Sequence, residues 1–195
     1  MRTQPGERQA DQLLVTVICP ALDEAATIGG LCARILDLDL PLELIVVDDG
    51  SADDTEARAR AAGARVIAHE HTRGNGAAIK TGLAHARGDF IVIIDGDGQH
   101  DPAAIPRLLR RLEGADLVVG CRTHYRGSGW LRAAGNRVLN LFASLLTGTR
   151  IPDLTCGFRA FRREHILPLL PVLPDGYSTP TTSTLEFLRR GLSGL

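Results

Sequence analysis

Between Phe90 and Pro102 the sequence reads FIVIIDGDGQHDP, and Asp95, Asp97, Gln99, His100 and Asp101 crowd into seven positions after an unbroken apolar run. Two unpaired carboxylates at close range repel, and one of them tends to protonate. A hard divalent cation removes that conflict: Mg2+ or Mn2+ takes a few carboxylate or amide oxygens and completes its shell with water and substrate phosphates. Asp95 and Asp97, turned about Gly96, are therefore candidate metal ligands, and Gln99 can add a neutral oxygen. The alternative is a solvated acidic turn, and for Asp101, directly before Pro102, helix capping is the better reading.

Other polar clusters invite similar questions. VVDDGSADDT (46–55) places Asp48 and Asp49 where a carboxylate can accept from a base edge or ribose, while Ser51, Asp53 and Asp54 suit turns and helix capping. PALDEAATI puts Asp23 and Glu24 at a helix start, where the helix dipole favours acids whatever their function. RGNGAAIKTG (73–82) lacks the third glycine of a dinucleotide fingerprint, yet the helix it opens could help hold an anion. His69 and His71 have no further ligand types nearby and read as surface histidines.

Such groups need a scaffold, and the hydrophobic pattern supplies one. Apolar runs at 13–20, 42–51, 64–69, 89–95 and 115–122 alternate with helical patterns near 24–36, 53–62, 76–87 and 102–112. This repetition predicts an α/β fold, a mostly parallel sheet with helices on both faces, its strands buried on both sides. In such sheets ligands bind beyond the carboxyl ends of the strands, where PALDE, DDGS, DGDGQHD and GCRTHYRG all fall. Residues 1–12 read as a disordered tail and 13–195 as one domain.

Composition narrows the partners. Lys and Arg total 22 against 23 Asp and Glu, so no basic field argues for nucleic acid. Cys19, Cys32, Cys121 and Cys156 are too widely spaced for a zinc site or a disulfide framework, which points to a reducing compartment. No apolar run approaches the ~20 residues needed to span a bilayer.

In order along the chain, PALDE, VVDDGSADDT, RGNGAAIKTGL, DGDGQHDP, VVGCR and DLTCGFRAF resemble the family 2 glycosyltransferases of the dolichol- and polyprenyl-phosphate sugar synthase group. The resemblance implies a GT-A, Rossmann-like fold, a UDP- or GDP-sugar donor, inversion, and Mg2+ or Mn2+ on the diphosphate. It places Pro20, Leu22, Glu24, Val47 and Asp49 at the base and ribose. It matches Asp95, Asp97 and Gln99 to the metal ligands, with Gly96 among the substrate-binding positions and Asp97 also among the catalytic ones. Arg122 and Arg137 match phosphate-facing arginines, and Asp153 an acid that orients the acceptor or acts as base on a hydroxyl. Asn75 stands where relatives often have lysine, and Leu22 where an aromatic often lies. Relatives continue into a further strand and basic loop beyond FLRRGL, so the chain is expected to lack the C-terminal part they possess.

The acceptor implied is a polyprenyl phosphate. From Leu131 to Leu146 the apolar residues cover about half the circumference at ~100° per residue, with Asn136, Asn140 and Ser144 opposite. That pattern fits either packing on the sheet or, with Trp130 and neighbouring arginines, a helix at a membrane surface. The expected location is the cytoplasmic face of a membrane. Alternatives are a glycosyltransferase acting on a soluble or polysaccharide hydroxyl, and a nucleotide-sugar-binding module without turnover.

Overall fold

The computed structural model describes residues 14–120, 140, 144 and 153–194. The tail at 1–12, Arg122, Arg137, Cys121 and most of the 131–146 pattern lie outside these residues. Six strands form one sheet: β1 (Val15–Ala21), β2 (Leu42–Asp48), β3 (Arg65–Ala68), β4 (Phe90–Ile93), β5 (Leu117–Val119) and β6 (Arg159–Arg162). Their order is β3-β2-β1-β4-β6-β5. The pairs β1–β2, β1–β4 and β2–β3 are parallel, whereas β6 runs antiparallel to both β4 and β5.

Helices cover both faces, as the unbroken apolar runs require. Along β1, Val15, Val17, Cys19 and Ala21 pack with Ile28, Leu31, Cys32 and Ile35 of α1 (Ile28–Leu36). Ala59 of α2 (Thr55–Ala61) and Ile105 and Leu108 of α4 (Ile105–Arg111) join the same cluster. Ile18 points the other way, towards Ile79 and Leu83 of α3 (Asn75–His85). That second layer is extended by Ile166 of α5 (Arg163–Ile166) and Phe187 of α6 (Thr179–Arg189). Period-two alternation along a strand thus sends successive side chains into separate helix layers.

Sequence order reverses across β1, which lies between β2 and β4. The loops after these strands therefore diverge and leave a crevice at their carboxyl ends. β4 leads through Ile94 to Asp95, and Gly96 N donates to Pro20 O at 3.2 Å, joining the ends of β4 and β1. The sixth strand was not evident from the sequence: four residues flanked by arginines insert between β4 and β5.

Candidate functional site

On the β2 side of the crevice, side chains lock three loops together. Asp23 N donates to Ser51 Oγ at 2.9 Å, Ala52 N to Asp23 Oδ1 at 2.8 Å, and Glu24 N to Thr55 Oγ1 at 2.8 Å. Ala25 N donates to Asp53 Oδ2 at 3.1 Å, and Ser51 N to Asp48 Oδ1 at 3.1 Å. Asp23 adopts φ 56°, a left-handed conformation that its short polar side chain tolerates by bonding locally. The Asp53 side chain serves the loop and the Thr55 amide, at 2.9 Å, so it fixes the start of α2.

Asp49 is almost fully buried. Its Oδ1 accepts from Arg73 N at 3.0 Å and lies 2.7 Å from His69 Nδ1, while Oδ2 accepts from Gly74 N at 2.8 Å. Burial pushes this carboxyl up, but the Arg73 amide, the His69 ring and the Gly74 amide outweigh it and hold it below the ordinary carboxylate value. Most of its acceptor capacity is thus committed to the 73–74 turn. His69 Nε2 lies 2.9 Å from Thr81 Oγ1 on α3, and its side chain is only 5% exposed. The reading of His69 as a surface histidine is therefore corrected: a strand-end imidazole between two polar partners is a buried brace. His71 is exposed.

The other base and ribose candidates divide by exposure. Leu22 is 37% exposed and Glu24 is half-buried, so both can meet a ligand. Val47 has no exposed surface and its side chain packs with Ile45 and Ala78, so only its backbone could meet a base or ribose. Pro20 is buried, and its carbonyl holds Gly96. Near the start of α3 several amides are already engaged. Arg73 N and Gly74 N go to Asp49, and Ala77 N donates to Asp175 O at 3.0 Å.

On the β4 side the acids are arranged differently. Asp95 and Asp97 are half-buried, Gly96 between them is buried, and Gln99 is exposed. Thr27 Oγ1 lies 2.8 Å from Gly96 O and 3.0 Å from Glu24 Oε2, tying the β1 loop to this turn. Asp97 Oδ1 accepts from Gln99 N at 2.9 Å, a local turn that leaves Oδ2 for a ligand. Asp101 Oδ1 accepts from Ala103 N at 3.1 Å, the expected cap. His100 turns inward and stacks on Phe158, ring centroids 5.1 Å apart.

The segment after Asp153 forms the opposite wall. Asp153 is buried, and its Oδ1 accepts from Thr155 N at 3.1 Å and Thr155 Oγ1 at 3.0 Å. Gly157 lies against the Asp95 carboxylate: a Cβ there would fall 2.2 Å from Oδ2, so only glycine leaves that oxygen in place. Asn140 Oδ1 accepts from Leu154 N at 3.0 Å. Arg159, not singled out in the sequence, is 2% exposed. Burial lowers its pKa to about 10, opposed by Cys156, Asp153 and Asp95, so it stays protonated at neutral pH.

Among the described residues no group of three His, Cys, Asp or Glu side chains gathers into a closed metal cage. Two carboxylates with an open side fit a hard cation whose shell is completed by phosphate and water, not a structural zinc site. Cys19, Cys32 and Cys156 are buried thiols rather than halves of a disulfide; burial pushes Cys32 up to about 11, so it stays neutral. Among the described residues no helix is long and apolar enough to cross a membrane.

Known proteins are similar to this chain. The chain is similar to an undecaprenyl-phosphate 4-deoxy-4-formamido-L-arabinose transferase of Pseudomonas aeruginosa (strain LESB58), 34% identical over 188 residues, covering 86% of this chain and 55% of the relative. The Serratia proteamaculans (strain 568) protein of the same name is 32% identical over 187 residues, covering 86% and 57%. This chain thus spans little more than half the length of these relatives. Among solved structures, glucosyl-3-phosphoglycerate synthase from Mycobacterium tuberculosis with Mn2+, UDP and glucosyl-3-phosphoglycerate superposes with a TM-score of 0.74 at 29% identity, over 97% of this chain and 72% of that one. The same enzyme with Mg2+ and UDP gives 0.73 at 34% identity, over 91% and 66%. These are GT-A architectures, and the family model for glycosyl transferase family 2 matches residues 16–167, so the chain belongs to that family.

Proposed function

We propose that this domain transfers a sugar from a nucleoside diphosphate sugar, UDP-linked in the first instance, to a polyprenyl phosphate with inversion at the anomeric carbon. The observation that carries the reading is the pair Asp95 and Asp97 at the carboxyl end of β4, beside the point where strand order reverses. UDP is supported by its presence in the similar glucosyl-3-phosphoglycerate synthase structure, and a lipid phosphate by the names of the similar transferases.

Asp95 and Asp97, with Gln99 in reach, would hold Mg2+ or Mn2+, which supplies charge neutralisation for the departing diphosphate. Leu22 and Glu24 border the base and ribose, and Asp49 keeps the 73–74 turn in place beside them. Arg122 and Arg137 are assigned to the phosphates of donor and acceptor. An oxygen of the lipid phosphate attacks the anomeric carbon as the bond to the nucleoside diphosphate breaks. A phosphate nucleophile is already anionic near neutral pH, so alignment dominates the demand on the protein. Asp153, with one oxygen fixed by Thr155, orients the acceptor. Work at the cytoplasmic face of a membrane follows from such an acceptor, and the amphipathic pattern at 131–146 supplies a surface for it.

A second reading is transfer to a small phosphorylated hydroxy acid, supported by the phosphoglycerate in the similar structures. The test is a transfer assay with UDP- and GDP-sugars against undecaprenyl phosphate in detergent and against 3-phosphoglycerate, with Mn2+ or with EDTA. Product from the lipid phosphate only, abolished by EDTA, is expected. Product from the soluble acceptor alone would replace the lipid reading, and turnover unaffected by EDTA would remove the metal.

A further inference from the structure

Arg159 is a buried cation whose hydrogen-bond partners are all neutral. Its Nε and Nη2 donate to Cys156 O at 2.9 and 2.6 Å. Its Nη1 donates to Pro180 O at 2.6 Å and lies 3.0 Å from Ser183 Oγ and 3.1 Å from Thr184 Oγ1, all on α6. An arginine buried without a bonded carboxylate is costly unless its fork is fully used, and here the fork clamps one loop to one helix. The clamped loop is the one whose next residue, Gly157, touches Asp95.

We propose that Arg159 is a positioning residue that ties α6 to the metal-binding turn, fixing the Cys156–Gly157 backbone against Asp95 so that the carboxylate keeps its ligating orientation. The proposal rests on the metal reading of Asp95 and Asp97 for one of its two readouts only. Arg159→Lys retains the charge but cannot bridge Cys156 O and the three α6 oxygens together, so the wall should loosen without losing its potential. The donor-base side, held by its own hydrogen bonds across β1, β2 and β3, should not respond.

The test is amide hydrogen exchange together with Mn2+ binding in the presence of UDP, on the full chain. In Arg159→Lys, peptides covering 93–101 should exchange about tenfold faster, as local opening becomes easier, alongside those covering 153–162. Mn2+ affinity should weaken about tenfold or more, as it does when outer-shell partners of a ligand are lost. Peptides covering 46–55 should be unchanged. Ser183→Ala with Thr184→Val, which removes two acceptors but keeps the arginine, should shift the same peptides by less. Phe187→Leu is the control: Phe187 packs on Phe161 with centroids 5.4 Å apart, on the same helix but outside the clamp. It should destabilise α6 without changing exchange at 93–101. Exchange at 93–101 unchanged in Arg159→Lys, or equally raised in Phe187→Leu, would overturn the proposal. Absence of Mn2+ binding in the wild-type chain would sink the metal reading, while the exchange comparison would still decide the coupling.

Discussion

On the β2 side of the crevice, acidic side chains serve the backbone: Asp23, Asp49 and Asp53 accept from main-chain amides of neighbouring loops, and Asp48 from an amide of its own turn. On the β4 side, Asp97 holds one amide through one oxygen, and Asp95 lies half-buried against a glycine that leaves its carboxylate room. Residues of one type, in turns of similar composition, therefore do opposite work. Where carboxylates are consumed by amides they build a rigid floor, and the pair that borders the crevice is the one proposed to hold a cation. A run of aspartates does not distinguish the two until the amides are placed.

The largest expected effect breaks the cation side alone. Asp95→Asn with Asp97→Asn should lower transfer on the order of a thousandfold, since charge stabilisation at the leaving group is lost. A thermal melt should show the fold intact, because these acids stabilise the ligand rather than the core. Unfolding instead would mean that the β4 acids resemble the β2 acids, and the contrast would fail.

On the floor, Asp49→Asn should cost about 2–3 kcal/mol at neutral pH, through loss of charge-assisted bonds to a buried turn. The folded Asp49 carboxyl titrates below its ordinary value. Its stabilisation is therefore complete above the unfolded value of about 3.9 and is lost as pH falls through the folded value. Urea denaturation of wild type and variant should show a gap that is full at pH 7 and narrows as pH drops below about 4. A gap independent of pH would mean that the charge contributes nothing.

Gly157→Ala sharpens the contrast with one methyl. The added Cβ would sit 2.2 Å from Asp95 Oδ2, so the carboxylate must move. Isothermal titration should show Mn2+ affinity reduced by about tenfold, as expected when a ligand's support is disturbed. UDP binding without metal should be unchanged. Asp101→Ala has the smallest effect: loss of the cap should cost about 1 kcal/mol in stability, read by denaturation, with Mn2+ affinity unaltered. A loss of metal binding there would add Asp101 to the site.

Much of this was legible in the sequence. The five alternating strands and four helices appear close to their expected positions because fully buried parallel strands leave unbroken apolar runs. The Asp95–Asp97 turn was legible because two acids after such a run have few uses. Asp101 announced its cap through Pro102. Four features were hidden, each for a tertiary reason. Asp49, His69 and Thr81 are distant in sequence and meet only when β2, β3 and α3 pack. Val47 is core because both faces of β2 are covered. Strand β6 is too short and too rich in arginine to read as a sheet element, and its antiparallel entry breaks the β-α rhythm. Arg159 gave no signal because only the folded chain supplies the carbonyls and hydroxyls that surround it.

In the proposed reaction the two β4 acids hold a divalent cation needed for the donor diphosphate. Titrating UDP into the wild-type chain and into Asp95→Asn with Asp97→Asn, each with Mn2+ and with EDTA, tests it most directly. Wild-type affinity should be at least about tenfold stronger with Mn2+ than with EDTA, and the double variant should bind UDP weakly and equally in both conditions. Equal UDP affinity with Mn2+ and with EDTA in the wild type, or metal-enhanced binding that survives in the double variant, would contradict it.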